Sequence, residues 1–400
     1  MKFSVEEARD RMLSRAHGPG RTEEVALAQA RGRVLARDVL APADVPARAC
    51  SQMDGYALRA QDGVPGGAGL PVRQRVAAGD VPGALARGEA ARIFTGAVLP
   101  AGADAVLPQE EATIEEGRLL VRAAVRPGQW VRPVASEMRS GEVVLAAGCA
   151  LRAPQLALAA STGRDRLQVC APPRVSLFCT GSELVEPGEP LPEGKVYNSN
   201  RVLLAALLRD LGCEVRDLGI IRDDLALTRA TLREAARGSD LVLSSGGVSV
   251  GEEDHVRAAL EAEGRVELWQ IAMKPGKPLV FGEVGGTPFI GLPGNPVSGF
   301  VTFSLLVRPF LLRSMGVADV APAPILLRSA FSRPAGSPRR EFLRARAAPD
   351  GTVSIHADQS AAVLASVAWA QGLVDAPAGE AIAPGDPVRY IALGAITGAV

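Results

Sequence analysis

Short apolar runs alternate with amphipathic stretches through the middle of the chain. RVSLFCTG, EVRDLGII, DLVLSSGG and VELWQIAM read as buried strands, and NRVLLAALLRDLG, ALTRATLREAARG and EDHVRAALEAEG between them read as helices. Strand, helix and strand in succession predict a parallel sheet with right-handed crossovers. PLVFGEV and TPFIGL add two strands and lead into a helix that Asn295 can cap and Pro296 can start, ending near Gly316. At the N-terminus, Ser4 and Glu7 have capping-box spacing, and EEVALAQARGRVLARDV is read as continuing in helical style. Between about Pro46 and Pro133 the texture changes to short β-type runs (QRVAAG, ARIFTG, DAVLPQ, RLLVRAAV) punctuated by Gly and Pro. LRAPQLALAASTG then returns to helix-forming composition, so the β block reads as an insertion into one framework. After about Ala318, PILLRSAF, REFLRARA, TVSIHAD and PVRYIAL predict a small β-barrel. The expected organisation is multidomain α/β plus β: a discontinuous framework (1–45 and 133–172), an inserted β domain (46–132), an α/β domain (173–318) and a C-terminal β-barrel (319–400).

Composition removes several function classes. Lys+Arg and Asp+Glu balance at 44 each, so no polyelectrolyte surface announces nucleic acid or anionic lipid. The five cysteines are scattered without zinc or redox spacing and read as reduced thiols. The charged start MKFSVEEARDRML lacks the apolar stretch of a signal peptide, and the run VSGFVTFSLLV is too short to cross a bilayer, which predicts a soluble, cytoplasmic protein. The three histidines, His17, His255 and His356, lie in separate regions, against a His-built zinc site or a Ser-His-Asp triad.

The unusual polar residues fall where an open parallel sheet binds ligands, in the loops beyond the strands' carboxyl ends. TGSEL carries Glu183, RDD carries Asp223 and Asp224, SSGGVSVGEED carries Gly246, Gly247, Ser249 and Asp254, MKPGKP carries Lys274 and Lys277, and GLPGNP carries Pro293 and Pro296. Taken singly, most have structural readings as turns, helix starts or solvated lysines. SSGGVSVGEED does not: small residues leave a buried strand and are followed at once by Glu252, Glu253 and Asp254. Carboxylates beside a backbone anion cradle are reconciled by Mg²⁺ shared between one or two of them and phosphate oxygens. The predicted ligand is therefore phosphorylated, with the lysines offsetting further negative charge. The same loops also admit an adenylyltransferase or nucleotide pyrophosphatase.

With SQMDGYALRA and RIFTGAVLPAGADAVLPQE added, the ordered set TGSEL, GIIRDD, SSGGVSVGEED, MKPGKP and GLPGNPVS resembles the molybdopterin molybdenumtransferases, the MoeA and gephyrin E-domain family, over nearly the whole chain. The resemblance implies a homodimer and a reaction that inserts molybdate into adenylyl-molybdopterin with release of AMP. It implies that Glu183, Asp223 and Asp254 surround the pyrophosphate and Mg²⁺, and that Gly246, Gly247 and Ser249 hold the ligand. Lys274 and Lys277 would favour molybdate, and Pro293 and Pro296 would shape their loop. Asp54 and Thr95 would act across the dimer interface, and other cofactor-biosynthesis proteins would be transient partners. The chain departs from the family at Ser136, Glu137 and Met138, where Gly-Glu-Asp is usual, and lacks a glycine often found beside Ser360. Met138 is the one feature favouring a non-catalytic dimeric scaffold.

Overall fold

The computed structural model describes residues 3–248, 255–335 and 337–397. Ser249, Glu252, Glu253 and Asp254 lie outside them. The chain divides into two compact units, one of residues 1–37, 147–156 and 166–400, the other of residues 38–146 and 157–165.

The larger unit is built on a six-stranded sheet. Its strands are β1 (Arg174–Thr180), β2 (Glu214–Ile221), β3 (Leu241–Ser245) and β4 (Gly264–Gln270), then, past the short β5 (Met273–Lys274), β6 (Pro278–Val284) and β7 (Thr287–Leu292). They lie in the order β2-β1-β3-β7-β6-β4. The first four positions are parallel, as the strand–helix alternation predicts, but β6 pairs antiparallel with both β7 and β4. VELWQIAM therefore joins through a hairpin strand rather than directly. Two reversals restore its direction, so its loop still leaves from the same edge. Side chains alternate across β1: Val175 and Leu177 enter one core with the helix α4 (Pro296–Ser314), and Phe178 enters a second with α2 (Leu225–Ala236) and α3 (His255–Glu263).

α4 is 19 residues long with mean hydropathy 1.2, long and apolar enough to cross a membrane, contrary to the length argument made from VSGFVTFSLLV; 89% of it is buried in the protein. It is a core helix, and Phe303–Val307 within it form a π-helical turn. EEVALAQARGRVLARDV is not helical. Thr22–Ala26 pairs antiparallel with Arg166–Cys170, and only Leu27–Gln29 form a 3₁₀ turn. Tertiary pairing overrides the helix propensity there, since only Val25 of the strand is buried and an isolated helix would have little to pack. The first helix, Val5–Leu13, does carry the capping box: Ser4 Oγ accepts from Glu7 N, and Glu7 Oε2 accepts from Ser4 N.

Beyond α4, β8 (Ile325–Ser329), β9 (Arg340–Ala347), β10 (Thr352–Ile355), β11 (Gly372–Ala376) and β12 (Pro387–Ala392) close into a five-stranded barrel, because β9 pairs with both β10 and β11 while β8 and β12 complete the ring. β5 adds to β9 in parallel, with Lys274 opposite Glu341. The smaller unit is a six-stranded β structure containing Gly55–Leu58, Ala90–Ile93 and Ala105–Pro108, with its own apolar clusters.

Candidate functional site

A cavity of about 650 Å³ opens at the carboxyl ends of β1, β3 and β7. It gathers Glu183, Asp223, Gly246, Gly247, Pro293 and Pro296 from four of the five loops singled out by sequence. The TGSEL and RDD loops are tied together: Asp223 Oδ2 accepts from Ser182 N at 2.6 Å, and Ser182 Oγ accepts from Asp223 N at 3.4 Å. The neighbouring Asp224 has the plain helix-starting role, accepting from Leu227 N at 2.7 Å as the N-cap of α2. The two acids of RDD thus have different duties.

Gly246 and Gly247 have φ of +94° and +64°. A Cβ on Gly246 would sit 2.2 Å from the Thr180 carbonyl oxygen, and one on Gly247 would sit 2.7 Å from Thr180 Oγ1. The Gly246 N–H donates to Leu292 O at 3.0 Å, extending the sheet. Its contribution to the cavity is the missing side chain, not a free amide. Cys179 also lines the cavity, but burial pushes its thiol up to about 12, so it stays neutral and is no nucleophile.

Among the described residues no group of three or more His, Cys, Asp or Glu converges as a metal site. Glu183 and Asp223 both line the cavity and offer only oxygen, which fits Mg²⁺, a hard cation that takes one or two carboxylates and fills its remaining positions with water and phosphate oxygens.

Lys274 and Lys277 line a separate cavity of about 520 Å³, adjoining the first at Pro278, which lines both. Arg339, Ser298, Gln359 and Ser360 also line it, and no carboxylate does so among the described residues. Lys274 Nζ lies 2.8 Å from Glu341 Oε1, a consequence of the β5–β9 register, and Arg333 Nε lies 2.8 Å from Glu341 Oε2. Burial pushes the Glu341 carboxyl upward, but hydrogen bonds from Lys274, Arg333 and Ser337 outweigh it and hold the group below its ordinary 4.5. The Gln359–Ser360 loop is anchored by buried Arg344, whose backbone N donates to Gln359 Oε1 at 3.0 Å and whose Nη2 donates to Ser360 O at 3.2 Å. Burial lowers the Arg344 guanidinium to about 10.

In the smaller unit, Asp54 Oδ1 accepts from both Thr95 N (2.8 Å) and Thr95 Oγ1 (2.7 Å). The antiparallel register of Gly55 with Ile93 brings the flanking residues together. The backbone donor foremost, and then the hydroxyl, hold the Asp54 carboxyl below its ordinary 3.8. Met138, at the family departure, is buried and bridged to Val45, while Glu137 pairs with Arg132. Glu137 is thus already engaged.

Sequence reasoning missed Asn198, Asn200 and Ser245 in the first cavity and Arg339 in the second. The polar run YNSN at a helix start was the available signal for the asparagines. Arg339 had none, because only the β5–β9 pairing brings it to the lysine loop.

Three families match this chain: the MoeA N-terminal region (domain I and II) over residues 3–163, the probable molybdopterin binding domain over 176–313, and the MoeA C-terminal region (domain IV) over 327–393. The molybdopterin molybdenumtransferase of Haemophilus influenzae is 40% identical over 316 residues, covering 78% of each chain. Molybdopterin molybdenumtransferase 2 of Mycobacterium tuberculosis is 38% identical over 368 residues, 88% of this chain and 90% of the relative. The crystal structure of the molybdopterin biosynthesis MoeA protein from Pyrococcus horikoshii superposes with a TM-score of 0.79 at 33% identity, covering 98% of this chain and 99% of that one. With its sheet-edge cavity, closed barrel and matched length, the chain belongs to the molybdopterin molybdenumtransferase family of molybdenum cofactor biosynthesis.

Proposed function

We propose that the first cavity binds adenylyl-molybdopterin, that the basic cavity admits molybdate, and that the protein joins them with release of AMP. The observation that carries this reading is the pair of adjoining cavities sharing Pro278, one lined by Glu183 and Asp223, the other by Lys274, Lys277 and Arg339 and by no carboxylate among the described residues. A doubly charged tetrahedral oxyanion suits the second, where Lys277 and Arg339 supply charge and Lys274 is partly offset by Glu341. Forming two Mo–S bonds moves both dithiol protons onto one molybdate oxygen, which leaves as water. A second water cleaves the phosphoanhydride to molybdopterin phosphate and AMP. Glu183 and Asp223, with Asp254 from the sequence pattern, would hold Mg²⁺, which supplies a positive charge to the pyrophosphate oxygens when bound. The chain's own residues position the two substrates and neutralise their charge.

AMP release from adenylyl-molybdopterin with molybdate and Mg²⁺ tests the reading. Asp223→Asn keeps the size and can still accept from Ser182 N, but loses the charge, so Mg²⁺-dependent turnover should fall roughly 100-fold, about 2.7 kcal/mol of transition-state stabilisation. Wild-type protein that releases no AMP above a protein-free control, or Asp223→Asn with unaltered Mg²⁺ dependence, would overturn it.

A homodimer in which Asp54 and Thr95 serve the partner's substrate belongs to the same proposal, supported by the family resemblance and by the fixed Asp54–Thr95 pair. Mixing Asp54→Ala with Asp223→Ala protein should then restore activity through heterodimers carrying one intact site. No recovery after verified subunit exchange would sink the trans arrangement.

A further inference from the structure

Asn198 and Asn200 stand two residues apart at the start of α1 (Ser199–Asp210), and both line the first cavity. The orientation of the Asn200 amide is fixed by its neighbours. Gly294 O can only accept, and Ser245 Oγ spends its one proton on Pro293 O at 3.2 Å. Both therefore require a donor from Asn200, and Nδ2 supplies it, at 2.7 Å to Gly294 O and 2.9 Å to Ser245 Oγ. Its two amide protons are then used, and Oδ1 has no hydrogen-bond partner among the described residues. Asn198 is instead the N-cap of α1. Its Oδ1 accepts from Arg201 N at 3.2 Å, while its buried Nδ2 has no nitrogen or oxygen acceptor among the described residues. The Cys179 thiol beside it is a weak acceptor. Asn200 thus presents to the cavity an acceptor without a donor among the described residues, whereas the Asn198 amide nitrogen is sealed inside the protein.

We propose that Asn200 reads the ligand's heterocycle, its Oδ1 accepting from an exocyclic amino group. This specificity role rests on the reading of the cavity as the adenylyl-molybdopterin site. Such an amino group occurs on both adenine and pterin, the two heterocycles of that ligand. Phosphate cannot satisfy Oδ1, because a phosphate oxygen is itself an acceptor. The test uses two ligand pairs, each differing by the amino group alone or by its replacement with a carbonyl: AMP against purine riboside 5′-monophosphate, and pterin-6-carboxylate against its 2-oxo counterpart.

By calorimetry, wild-type protein should prefer the amino-bearing member of one pair by roughly tenfold, and that pair identifies the heterocycle. Asn200→Ala should bring the ratio close to one. Ser245→Ala removes one of the ties that orient Asn200 but leaves Oδ1, and should keep most of the preference, which separates recognition from loop positioning. Binding without preference in either pair, or a preference surviving in Asn200→Ala, overturns the proposal while leaving the cavity assignment standing. Binding of none of the four probes, nor of adenylyl-molybdopterin, removes the cavity assignment and this proposal with it.

Discussion

Glu341→Ala should destabilise the barrel by about 3–5 kcal/mol, because it leaves the Arg333 guanidinium buried without its counter-ion. Arg333 is 8% exposed and its Nη2 already lacks a hydrogen-bond partner among the described residues, so no water-facing rearrangement compensates in place. Lys274 is about half exposed and adds little to this cost, but it loses the contact that fixes its position at the basic cavity. Urea unfolding followed through Trp369, with the other two tryptophans changed to Phe, isolates the barrel's transition. Replacing Arg333 by Met and Glu341 by Leu together should recover most of the stability, since neither charge is then stranded. The pH dependence has a definite sign. The folded-state pKa of Glu341 is depressed, so its stabilisation is complete above the ordinary value of 4.5 and is lost as pH falls through the depressed value. The gap between wild type and Glu341→Ala should therefore close below pH 4.5. A gap unchanged by acid, or a variant as stable as wild type, would show that the buried pairing contributes nothing.

Gly246→Ala should weaken binding of adenylyl-molybdopterin by more than about 100-fold and lower stability by about 2–4 kcal/mol. The methyl carbon would stand 2.2 Å from the Thr180 carbonyl, where Cβ contacts under 3.0 Å essentially never occur, and its neighbour is backbone inside a sheet. Either β1 and β3 part at their carboxyl ends or the Gly246–Leu292 hydrogen bond breaks, and both deform the cavity. Gly212→Ala provides the control. Gly212 has a similar φ of +77° but open space around its Cβ position, so the variant carries the left-handed backbone cost of about 1 kcal/mol without the clash. It should bind ligand like wild type. Equal affinities for the two variants would mean that close backbone approach at Gly246 does not shape the site.

The sequence was most legible where local pattern and tertiary role coincide. Strands buried on both faces read as continuous apolar runs, so β1 and β3 were visible, and the glycines and acids at their ends were visible as departures from that pattern. Asp223 and Asp224 were both seen, but which one lines the cavity and which caps α2 depends on a hydrogen bond to Ser182, 41 residues away. The helical reading of EEVALAQARGRVLARDV failed because Thr22–Ala26 finds its partner at Arg166–Cys170, 140 or more positions later. Propensity over a short window has no access to such a pairing.

By itself, then, the sequence determined the alternation of elements, the closed C-terminal β texture and the set of glycine, carboxylate and lysine loops, because each is written in residues adjacent along the chain. Tertiary structure alone decided that the lysines face a cavity of their own, that Glu341 and Arg339 from the barrel join Lys274 and Lys277, and that Asn200 brings an amide oxygen without a described donor to the first cavity. These depend on strand register and loop closure between segments tens of residues apart. A charge or an amide carries no mark in sequence of whether such a partner will reach it.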